Sequence, residues 1–379
     1  MTKKNCLEFL SSPSECMQMK SELMSVIEGV IENQSYRFEP IITEVENKLA
    51  EYVRTRYAVG VRSGTDALII ALKACNIGMG DEVITTPFTF FATSEAIALC
   101  GAEPIFVDIS DADLNINTRR ITDSITPRTK AILPVHLFGY PADMISIERI
   151  ASKHELQIIA DMSHAIGTEL NGKSAGSYGD ISCLSLNPTK ALSGIGSGGM
   201  IFTNYARLRG IADALRNHGR FNGKKEHHLI GMNSRLDGIQ AATILLKLEH
   251  IDSWIERRRF NFMRLHDTIQ EIDDNDLLNI QYDLNIATTP AYLFPIRVLR
   301  GIGNFLDFLR SKGIPFERYD QPIHLQPAFK YLHHSRTDFP IAEGASKQVV
   351  VLPIHPFIDI DHIAQSLIEY ARGKQSLRG

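Results

Sequence analysis

The stretch that decides the fold is Ser185-Leu186-Asn187-Pro188-Thr189-Lys190-Ala191-Leu192. It follows an apolar, strand-like run at residues 181–186 and precedes a glycine-rich segment. This pattern predicts that Lys190 lies at the end of a sheet strand and faces a cleft. About thirty residues upstream, a second strand-like run at residues 157–160 ends at Asp161. Each predicted strand therefore delivers one charged side chain to a strand end.

The chemistry of this pair is specific when the two residues act together. A lysine that can form a Schiff base and a carboxylate that can keep a pyridine nitrogen protonated are the minimal equipment for pyridoxal phosphate (PLP) chemistry. Each residue alone has an ordinary explanation. Most lysines are solvated surface charges, and an aspartate in the position of Asp161 can simply cap a helix. The hypothesis therefore depends on the residues around Lys190 and Asp161.

Strand-like and helical patterns alternate around this pair over about 190 residues. The predicted strands are residues 57–61, 82–86, 104–107, 131–135, 157–160, 181–186 and 200–203. The predicted helices are residues 41–52, 65–75, 91–100 and 142–154. This alternation predicts an α/β fold with a largely parallel sheet and helices on both of its faces. Such sheets bind ligands at the carboxyl ends of their strands.

The last third of the chain predicts a second, smaller unit. Residues 235–272 are amphipathic and indicate a helical bridge out of the first unit. The patterns beyond the bridge are strands at residues 292–298 and 349–352 and helices at residues 303–312 and 361–370. A length of 379 residues is also enough for about two domains. We therefore predict a large domain at residues 1–245 and a small α/β domain at residues 246–379.

Composition excludes several classes of protein. With 40 basic and 44 acidic residues the net charge is −4, which gives no indication of nucleic-acid binding. No apolar run approaches the roughly 20 residues that a membrane-spanning helix needs, and the amino terminus has no secretory signal pattern. The five cysteines have no metal-ligand spacing. They indicate reduced, mostly buried thiols, so we expect a cytoplasmic protein without a bound metal.

The segment Arg62-Ser63-Gly64-Thr65-Asp66-Ala67-Leu68 links a predicted strand to a predicted helix. Gly64 permits a tight turn, while Thr65 and the first free N–H groups of the helix point at whatever lies above them. Helix amino termini favour anions, so a phosphate fits there. The ordinary alternative is that Ser63 or Thr65 only caps the helix.

Other segments supply groups that a flat cofactor needs. Pro87-Phe88-Thr89-Phe90-Phe91-Ala92-Thr93 places three aromatic side chains at a strand–helix junction. One exposed ring there could stack on a pyridine, while the others pack in the core. His164, three residues after Asp161, could hydrogen-bond the ring hydroxyl of the cofactor or could be structural. Ser185 at a strand end could complete a phosphate cup, and Asn187 lies two residues beyond it.

The chain resembles the DegT-type (DegT/DnrJ/StrS) sugar aminotransferases, which are PLP enzymes of the aspartate-aminotransferase fold (fold type I). The resemblance covers about residues 26–370. It depends on motifs in family order: Ser63-Gly64-Thr65-Asp66-Ala67-Leu68, Gly80-Asp81-Glu82-Val83-Ile84-Thr85-Thr86-Pro87, residues 161–167, Gly176-Ser177-Tyr178-Gly179-Asp180, residues 185–190, His218-Gly219 and Gly231-Met232-Asn233-Ser234-Arg235-Leu236-Asp237. It implies a large domain with a mostly parallel seven-stranded sheet between helices, and a smaller α/β domain.

The resemblance implies a role for each matching position. Lys190 matches the Schiff-base lysine, and Asp161 matches the partner of the pyridine nitrogen. The other cofactor-binding positions are Gly64, Thr65 and Ser185 at the phosphate, Asn187 near them, Phe90 on the ring and His164 near the ring hydroxyl. Asn233 matches an asparagine that reaches the cofactor of the neighbouring subunit, which implies a homodimer with shared active sites. Tyr319 and His324 match positions that contact the sugar.

The resemblance implies an enzyme that moves an amino group from an amino acid, with L-glutamate as the expected donor, to a keto-sugar that is expected to be nucleotide-linked. The product would serve amino-sugar biosynthesis, for a surface polysaccharide or a secondary metabolite. Two alternatives stay open: a PLP-binding regulatory or sensory protein without turnover, and another PLP reaction on a sugar-derived substrate. Lys190 argues against a dehydratase branch that has histidine in its place. The sugar is undetermined, because it depends on loops near Tyr36 and at residues 221–228 and 319–331.

Overall fold

The computed structural model describes residues 8–9, 12–34, 40–221, 225–272, 276–280 and 282–378. Tyr36 and residues 222–224, expected in loops near the substrate, lie outside these ranges. Within the described ranges, no helix is both long enough and apolar enough to cross a membrane.

Helices and strands alternate along most of the described chain. The α-helices are α1 (Ser12–Gln18), α2 (Lys20–Glu32), α3 (Ile41–Val53), α4 (Gly64–Ala74), α5 (Phe91–Leu99), α6 (Thr118–Ile121), α7 (Met144–His154), α8 (Ala206–Arg216), α9 (Gly238–Leu248), α10 (Ile251–Glu271), α11 (Ile302–Ser311), α12 (Pro340–Gln348) and α13 (Ile360–Arg378). The strands are β1 (Tyr57–Val61), β2 (Glu82–Thr85), β3 (Glu103–Phe106), β4 (Thr129–Ile132), β5 (Gln157–Asp161), β6 (Glu169–Leu170), β7 (Lys173–Ser174), β8 (Ile181–Ser185), β9 (Gly199–Thr203), β10 (Leu277–Asn279), β11 (Leu293–Val298) and β12 (Val349–Pro353).

The large sheet has seven strands in the order β1-β9-β8-β5-β4-β2-β3. The pairs β2–β3, β2–β4, β4–β5 and β5–β8 are parallel, whereas β9 runs antiparallel to both β8 and β1. The prediction of a mostly parallel seven-stranded sheet is therefore confirmed. Because the other strands all run in one direction, their carboxyl ends meet at one edge of the sheet, where α/β proteins bind ligands.

Helices cover both faces of this sheet. On β9, Ile201 belongs to the apolar cluster that includes α4, α5 and α8, whereas Met200 and Phe202 belong to the cluster that includes α3 and α9. All three side chains are buried, as the two-residue period of a strand requires when both faces are covered. The same alternation separates Val83 from Ile84 on β2. The predicted layers of helices on both faces are therefore present.

The second sheet is smaller and antiparallel, with the order β10-β11-β12. Helices α10, α11 and α13 pack against it and contribute Phe262, Phe305 and Leu367 to a core of its own. This part of the chain forms the smaller α/β unit that the sequence predicts. The predicted domain boundary at residue 245 falls inside α9 and stays a prediction.

The predicted helical bridge at residues 235–272 consists of two helices, α9 and α10. The first begins after Asp237, whose Oδ1 accepts a hydrogen bond from the amide of Gln240 (2.9 Å), a common helix N-cap. It ends at Leu248, and α10 begins at Ile251. Amphipathic periodicity continues across the short break, so it could not reveal where one helix ends and the next begins.

The strand predicted at residues 131–135 is shifted toward the amino terminus, because β4 covers Thr129–Ile132. The amide of Leu133 still donates to the carbonyl of Ile84 (2.7 Å), but Pro134 has no N–H to continue the ladder. Helices α8 and α12, strand β10 and the β6–β7 hairpin had no matching prediction.

The N-terminal helix α1 is joined to the large domain by a buried ion pair. The Lys247 ammonium on α9 contacts the Glu15 carboxylate, and these side chains are 0% and 1% exposed. Lys247 Nζ also donates a hydrogen bond to Ser193 Oγ (3.2 Å), near the loop that carries Lys190. The pair therefore holds the N-terminal segment, with Phe9, beside that loop.

Candidate active site

A cavity of about 320 Å³ opens at the carboxyl edge of the large sheet. Its volume lies at the lower end of the range for small-molecule sites. Most of the predicted site residues line it: Gly64, Thr65, Phe90, Asp161, His164, Ser185, Asn187, Lys190 and Tyr319. These residues lie at or after the ends of β1, β2, β5 and β8, or come from the small domain. Folding therefore brings together residues that are far apart in the sequence.

Lys190 lies on a tight turn that begins where β8 ends. Its amide donates to the carbonyl of Asn187 (2.9 Å), and Asn187 Oδ1 accepts from the amide of Thr189 (3.1 Å). Asparagine side chains commonly bond to the backbone two residues on and so stabilise turns. The amide of Gly194 then donates to the carbonyl of Leu186 (2.9 Å) and closes the loop. Asn187 therefore shapes the turn that carries the lysine, and it also lines the cavity.

The Lys190 amine has an aromatic neighbour that the sequence did not reveal. Lys190 Nζ lies 3.4 Å from Tyr292 Oη and 5.1 Å from the centre of the Tyr292 ring. The Tyr292 hydroxyl donates to the carbonyl of Thr189 (3.3 Å). Tyr292 comes immediately before β11 of the second sheet. The small domain therefore contributes directly to the surroundings of the lysine.

Asp161 is the last residue of β5, and its carboxylate is buried and hydrogen-bonded. Asp161 Oδ2 accepts from Thr93 Oγ1 (3.0 Å), and Asp161 Oδ1 accepts from the amide of Ser163 (3.1 Å). The hydroxyl of Thr93, in the first turn of α5, also lies 3.1 Å from the hydroxyl of Thr89. Hydrogen bonds of this kind stabilise the charged form of a carboxylate and fix its orientation.

His164 is a neutral side chain in this site. Burial lowers its pKa well below the ordinary value for histidine, and the charge of Lys190 lowers the pKa further. His164 Nδ1 accepts a hydrogen bond from the amide of Phe138 (3.3 Å), so the proton of the neutral ring lies on Nε2. The ring stacks on Tyr292 with their centres 4.3 Å apart. His164 can therefore donate one hydrogen bond but carries no charge.

An anion-binding end of the cavity forms where α4 begins. Ser63 is the N-cap of α4, and its Oγ accepts from the amide of Asp66 (3.0 Å). Thr65 follows on the first turn and lines the cavity with Gly64 and Ser185. The alternative of simple capping is therefore correct for Ser63. Free amides and the helix dipole at this end still favour a phosphate.

Gly64 and Ser185 approach each other so closely that a side chain at position 64 has no room. A Cβ built there would lie 2.7 Å from Ser185 Cβ and 3.0 Å from Ser185 Oγ. We expect Gly64→Ala to displace Ser185, to weaken PLP binding by about tenfold or more, and to cost about 1–3 kcal/mol of stability. Titration of the apoprotein with PLP measures the first effect, and urea unfolding measures the second.

Gly210→Ala is the matched control for that variant. Gly210 lies on α8, and a Cβ there would meet nothing within 4 Å. The control should therefore keep the PLP affinity of the unmodified protein. Unchanged PLP affinity in Gly64→Ala would contradict the placement of the phosphate at this end of the cavity.

The cavity fits PLP on its own geometry. It contains an amine, a buried and hydrogen-bonded carboxylate, and a helix amino terminus at which glycine is required for space. Phe90, at the start of α5, is 64% exposed and lines the same cavity, so one aromatic ring is free to cover a flat ligand. Lys190 and Asp161 would hold the reactive end of the cofactor, and Gly64, Thr65 and Ser185 would hold its phosphate.

Two predicted site residues do not line the cavity. His324 is 2% exposed, its Nε2 lies 3.4 Å from Glu343 Oε1, and its ring packs edge-on against Phe339 at 4.7 Å. His324 thus packs beside the site in this subunit, and its predicted contact with the sugar stays a prediction. Asn233 is exposed and forms an isolated bridge with Asn217. Its predicted role in a neighbouring subunit's site stays a prediction.

Several lining or supporting residues had no signal that identified them. Tyr292 and Glu317 come from the small domain and lie more than a hundred residues beyond Lys190 in the sequence. Thr93 had a weak signal, because it is a hydroxyl residue in the first turn of the helix predicted at residues 91–100. Its position on the Asp161 carboxylate depends on the neighbouring strands and could not be deduced.

Sequence comparison agrees with this geometry. The profile of the DegT/DnrJ/EryC1/StrS aminotransferase family matches residues 17–368, which is nearly the whole chain. The chain belongs to this family. Membership makes it a PLP-dependent aminotransferase, and the motifs quoted above carry the same identification.

Two relatives and one solved structure align with nearly the whole chain. A "Pleiotropic regulatory protein" of Geobacillus stearothermophilus is 37% identical and covers 94% of this chain and 96% of its own. A UDP-N-acetyl-3-dehydro-alpha-D-glucosamine 3-aminotransferase of Acidithiobacillus ferrooxidans is 36% identical, and the alignment covers 96% of this chain and 97% of the relative. The structure of S. venezuelae DesV in complex with a ketimine intermediate superposes with a TM-score of 0.93 at 31% identity. The superposition covers 97% of this chain and 99% of the DesV chain.

Proposed function

We propose that this sugar aminotransferase takes its amino group from L-glutamate and passes it to a keto-sugar carried on a nucleotide. One observation carries the proposal: the Lys190 amine and the hydrogen-bonded Asp161 carboxylate line a single cavity beside a helix amino terminus. The Acidithiobacillus relative, whose name specifies a UDP-linked 3-dehydro sugar, supports a nucleotide-linked acceptor. Glutamate as the donor rests on the family resemblance.

Lys190 performs the central proton transfer in this reaction. When bound, PLP supplies an aldehyde that captures the amino group and a pyridine ring that absorbs the electrons released at the donor's Cα. Lys190 Nζ would move the proton of the donor's Cα onto the bound cofactor, and in the second half of the cycle it would move a proton from the cofactor to the acceptor carbon. Tyr292, 3.4 Å from this amine, limits where the lysine can reach.

Asp161 and His164 set the charge of the site. The Asp161 carboxylate is held by Thr93 and Ser163. It would keep a proton on the pyridine nitrogen of bound PLP through a charge-assisted hydrogen bond. The neutral His164 offers an Nε2–H donor without adding a positive charge beside Lys190. The site therefore favours a protonated ring nitrogen and leaves the lysine as the mobile base.

A homodimer with shared active sites is part of the proposal. Asn233 is exposed and lies outside this subunit's cavity, which is compatible with a contact to the partner's cofactor. We expect inactive Lys190→Ala and inactive Asn233→Ala subunits to restore activity when they are mixed, because one of the two sites in a hybrid dimer then has both residues intact. An equal mixture with random pairing should approach about a quarter of the unmodified activity, because about half of its dimers are hybrids and each hybrid has one intact site. Complete absence of recovery in verified hybrids contradicts the shared site.

A second function is favoured by one observation. The relative that is 37% identical is named a regulatory protein, so binding of PLP without turnover must be compared with catalysis. The Lys190 amine and the hydrogen-bonded Asp161 carboxylate line one cavity, which supplies both the proton-transferring base and the partner of the ring nitrogen that turnover needs. Catalysis is therefore the better account.

The experiment that tests the proposal follows both products. The purified protein is supplied with PLP, L-glutamate and a panel of UDP- and dTDP-linked 3-keto and 4-keto sugars. Formation of 2-oxoglutarate and amino-sugar in equal amounts supports the proposal. If the protein binds PLP but transfers no amino group to any sugar of the panel, the regulatory function would be favoured.

We also infer that the reaction takes place in the cytoplasm. The described cysteines, Cys16, Cys75, Cys100 and Cys183, are all free thiols. Burial raises the pKa of Cys75 to about 12 and that of Cys100 to about 11, so these two thiols are protonated and unreactive at neutral pH. Reduced, unpaired cysteines are usual in a reducing compartment.

A further inference from the structure

Glu317 is a carboxylate in the cavity that the proposed chemistry does not use. It lies on the loop after α11 and lines the cavity together with Lys190 and Asp161. Asp161 already accepts hydrogen bonds on both of its oxygens, from Thr93 and Ser163. The Glu317 carboxylate has no hydrogen bond or ion pair with any residue that the structure describes. The cavity therefore contains one carboxylate that is occupied and one that is available to a ligand.

The backbone holds Glu317 firmly at this position. The amide of Glu317 donates to the carbonyl of Val351 (3.0 Å), and the amide of Val351 donates to the carbonyl of Glu317 (2.9 Å). Val351 is buried on β12, the edge strand of the small sheet. Glu317 is thus attached to a rigid edge of the small sheet, although it lies on a loop. Recognition residues need this kind of support.

The charges of this subunit disfavour an acceptor that places a carboxylate beside Glu317. Lys190 is the cationic side chain among the described residues that line the cavity, and no described arginine lines it. His164 is neutral, since burial lowers its pKa. A carboxylate on the acceptor would therefore meet the negative charge of Glu317, while the charge nearest to offset it belongs to the lysine that the reaction employs. Juxtaposed like charges are an effective means of rejecting a substrate.

We infer that Glu317 selects the acceptor sugar: it accepts a hydrogen bond from a hydroxyl or amide N–H of an uncharged ring and repels uronic acids. The inference rests on the proposed function and narrows its acceptor to neutral nucleotide-linked keto-sugars. A neutral hexose offers hydroxyl donors around its ring, whereas a uronic acid has a negatively charged carboxylate in place of one of them. Glu317 acts through binding and repulsion and transfers no proton.

The surroundings of the carboxyl agree with this role. Burial raises the pKa of Glu317, and the positive charge of Lys190 partly offsets that rise. A carboxylate that has lost part of its hydration is stabilised by hydrogen bonds from a ligand to its charged form. The hydroxyl groups of a sugar are suitable donors.

The test uses two unreactive nucleotide sugars that differ only at C6. UDP-N-acetylglucosamine has a hydroxymethyl group there, and UDP-N-acetylglucosaminuronic acid has a carboxylate. Calorimetry measures the binding of each to the holoenzyme loaded with pyridoxamine phosphate, so the result depends neither on the amino donor nor on the ring position of the keto group. The variants are Glu317→Gln, which removes the charge at nearly constant shape, and Asp320→Asn as the matched control. Asp320 is an exposed carboxylate nearby that does not line the cavity.

We expect the unmodified holoenzyme to bind the neutral sugar at least about tenfold more tightly than the uronic acid. Glu317→Gln should reduce this ratio to within about threefold, mainly through tighter binding of the uronic acid, because the amide no longer repels it. Asp320→Asn should keep the original ratio. Higher salt should bring the affinities for the two sugars closer together in the unmodified protein, because Glu317 is exposed and its repulsion is screened.

Three results would overturn the inference. The unmodified holoenzyme binds the uronic acid as tightly as the neutral sugar, or the ratio persists in Glu317→Gln, or Asp320→Asn changes the ratio as much as Glu317→Gln does. Failure to bind either sugar would overturn the nucleotide-sugar acceptor itself. That failure is separate from failure of the donor half-reaction, which glutamate alone tests in the absence of any sugar.

Discussion

Lys190→Ala should lower the rate of amino transfer by at least about 10⁴-fold, since both covalent capture of the cofactor and proton transfer at the donor's Cα are lost together. The fold should survive. The Lys190 side chain is only half-buried, and the contact of its amine with Tyr292 is long, at 3.4 Å. Single-turnover measurements with glutamate give the rate, and urea unfolding gives the stability.

Two further variants separate the chemistry of Lys190 from its charge. Lys190→Arg keeps a positive charge but cannot capture the aldehyde, so it should be as inactive as the alanine variant. Lys173→Ala removes a lysine from the β6–β7 hairpin, where it lies 4.0 Å from the centre of the Tyr178 ring and outside the cavity. It should retain normal activity. Activity above about one per cent in Lys190→Ala would remove the lysine from the mechanism.

Asp161→Asn should reduce kcat by about 10²–10³-fold, the usual effect of removing one preorganised electrostatic partner. A neutral amide cannot keep the pyridine nitrogen protonated, so the ring absorbs the electrons of the donor's Cα less well. The change preserves shape, and Asp161 is only 6% exposed among polar neighbours, so unfolding should be little affected. Steady-state kinetics at saturating PLP separate this loss from weaker cofactor binding.

Thr93→Val provides a graded comparison for Asp161. It removes the hydroxyl that donates to Asp161 Oδ2 at 3.0 Å but leaves the carboxylate and the Ser163 amide in place. A hydrogen bond to a charged group is worth about 1.5–3 kcal/mol, and about 1.36 kcal/mol is a factor of ten in rate. We expect kcat to fall near the lower end of the corresponding range, by about tenfold, because the carboxylate and its second hydrogen bond remain; this loss is smaller than in Asp161→Asn. Equal losses in the two variants would mean that the position of the carboxylate matters more than its charge.

Much of the large domain could be predicted from the sequence because its signals are local. Strands β5 and β8 are short apolar runs that end at polar residues, and parallel strands place Asp161 and the loop of Lys190 at one edge. The turn at Gly64 could be predicted for the same reason, because a glycine between a predicted strand and a predicted helix usually marks a turn. These features depend on residues that are neighbours in the sequence.

Of the small domain's residues that line the cavity, only Tyr319 was predicted, and that prediction came from the family resemblance. Tyr292 reaches Lys190 only because β11 packs near the edge of the other sheet, and Glu317 reaches the cavity through its backbone pairing with Val351. No local pattern encodes such contacts. The family resemblance matches His324 to a sugar-contacting position, and the side chain is buried against Phe339 and Glu343. That contact with the sugar stays a prediction.

The most direct test of the central claim is the absorption spectrum of the purified protein with PLP, recorded before and after addition of L-glutamate. We predict a visible band from the cofactor held by Lys190, and its replacement by the near-ultraviolet band of the aminated cofactor when glutamate is added. The same spectrum of Lys190→Ala should lack the conversion. A protein that shows no visible band at saturating PLP would contradict the assignment of Lys190. A band that no amino acid converts would contradict amino transfer.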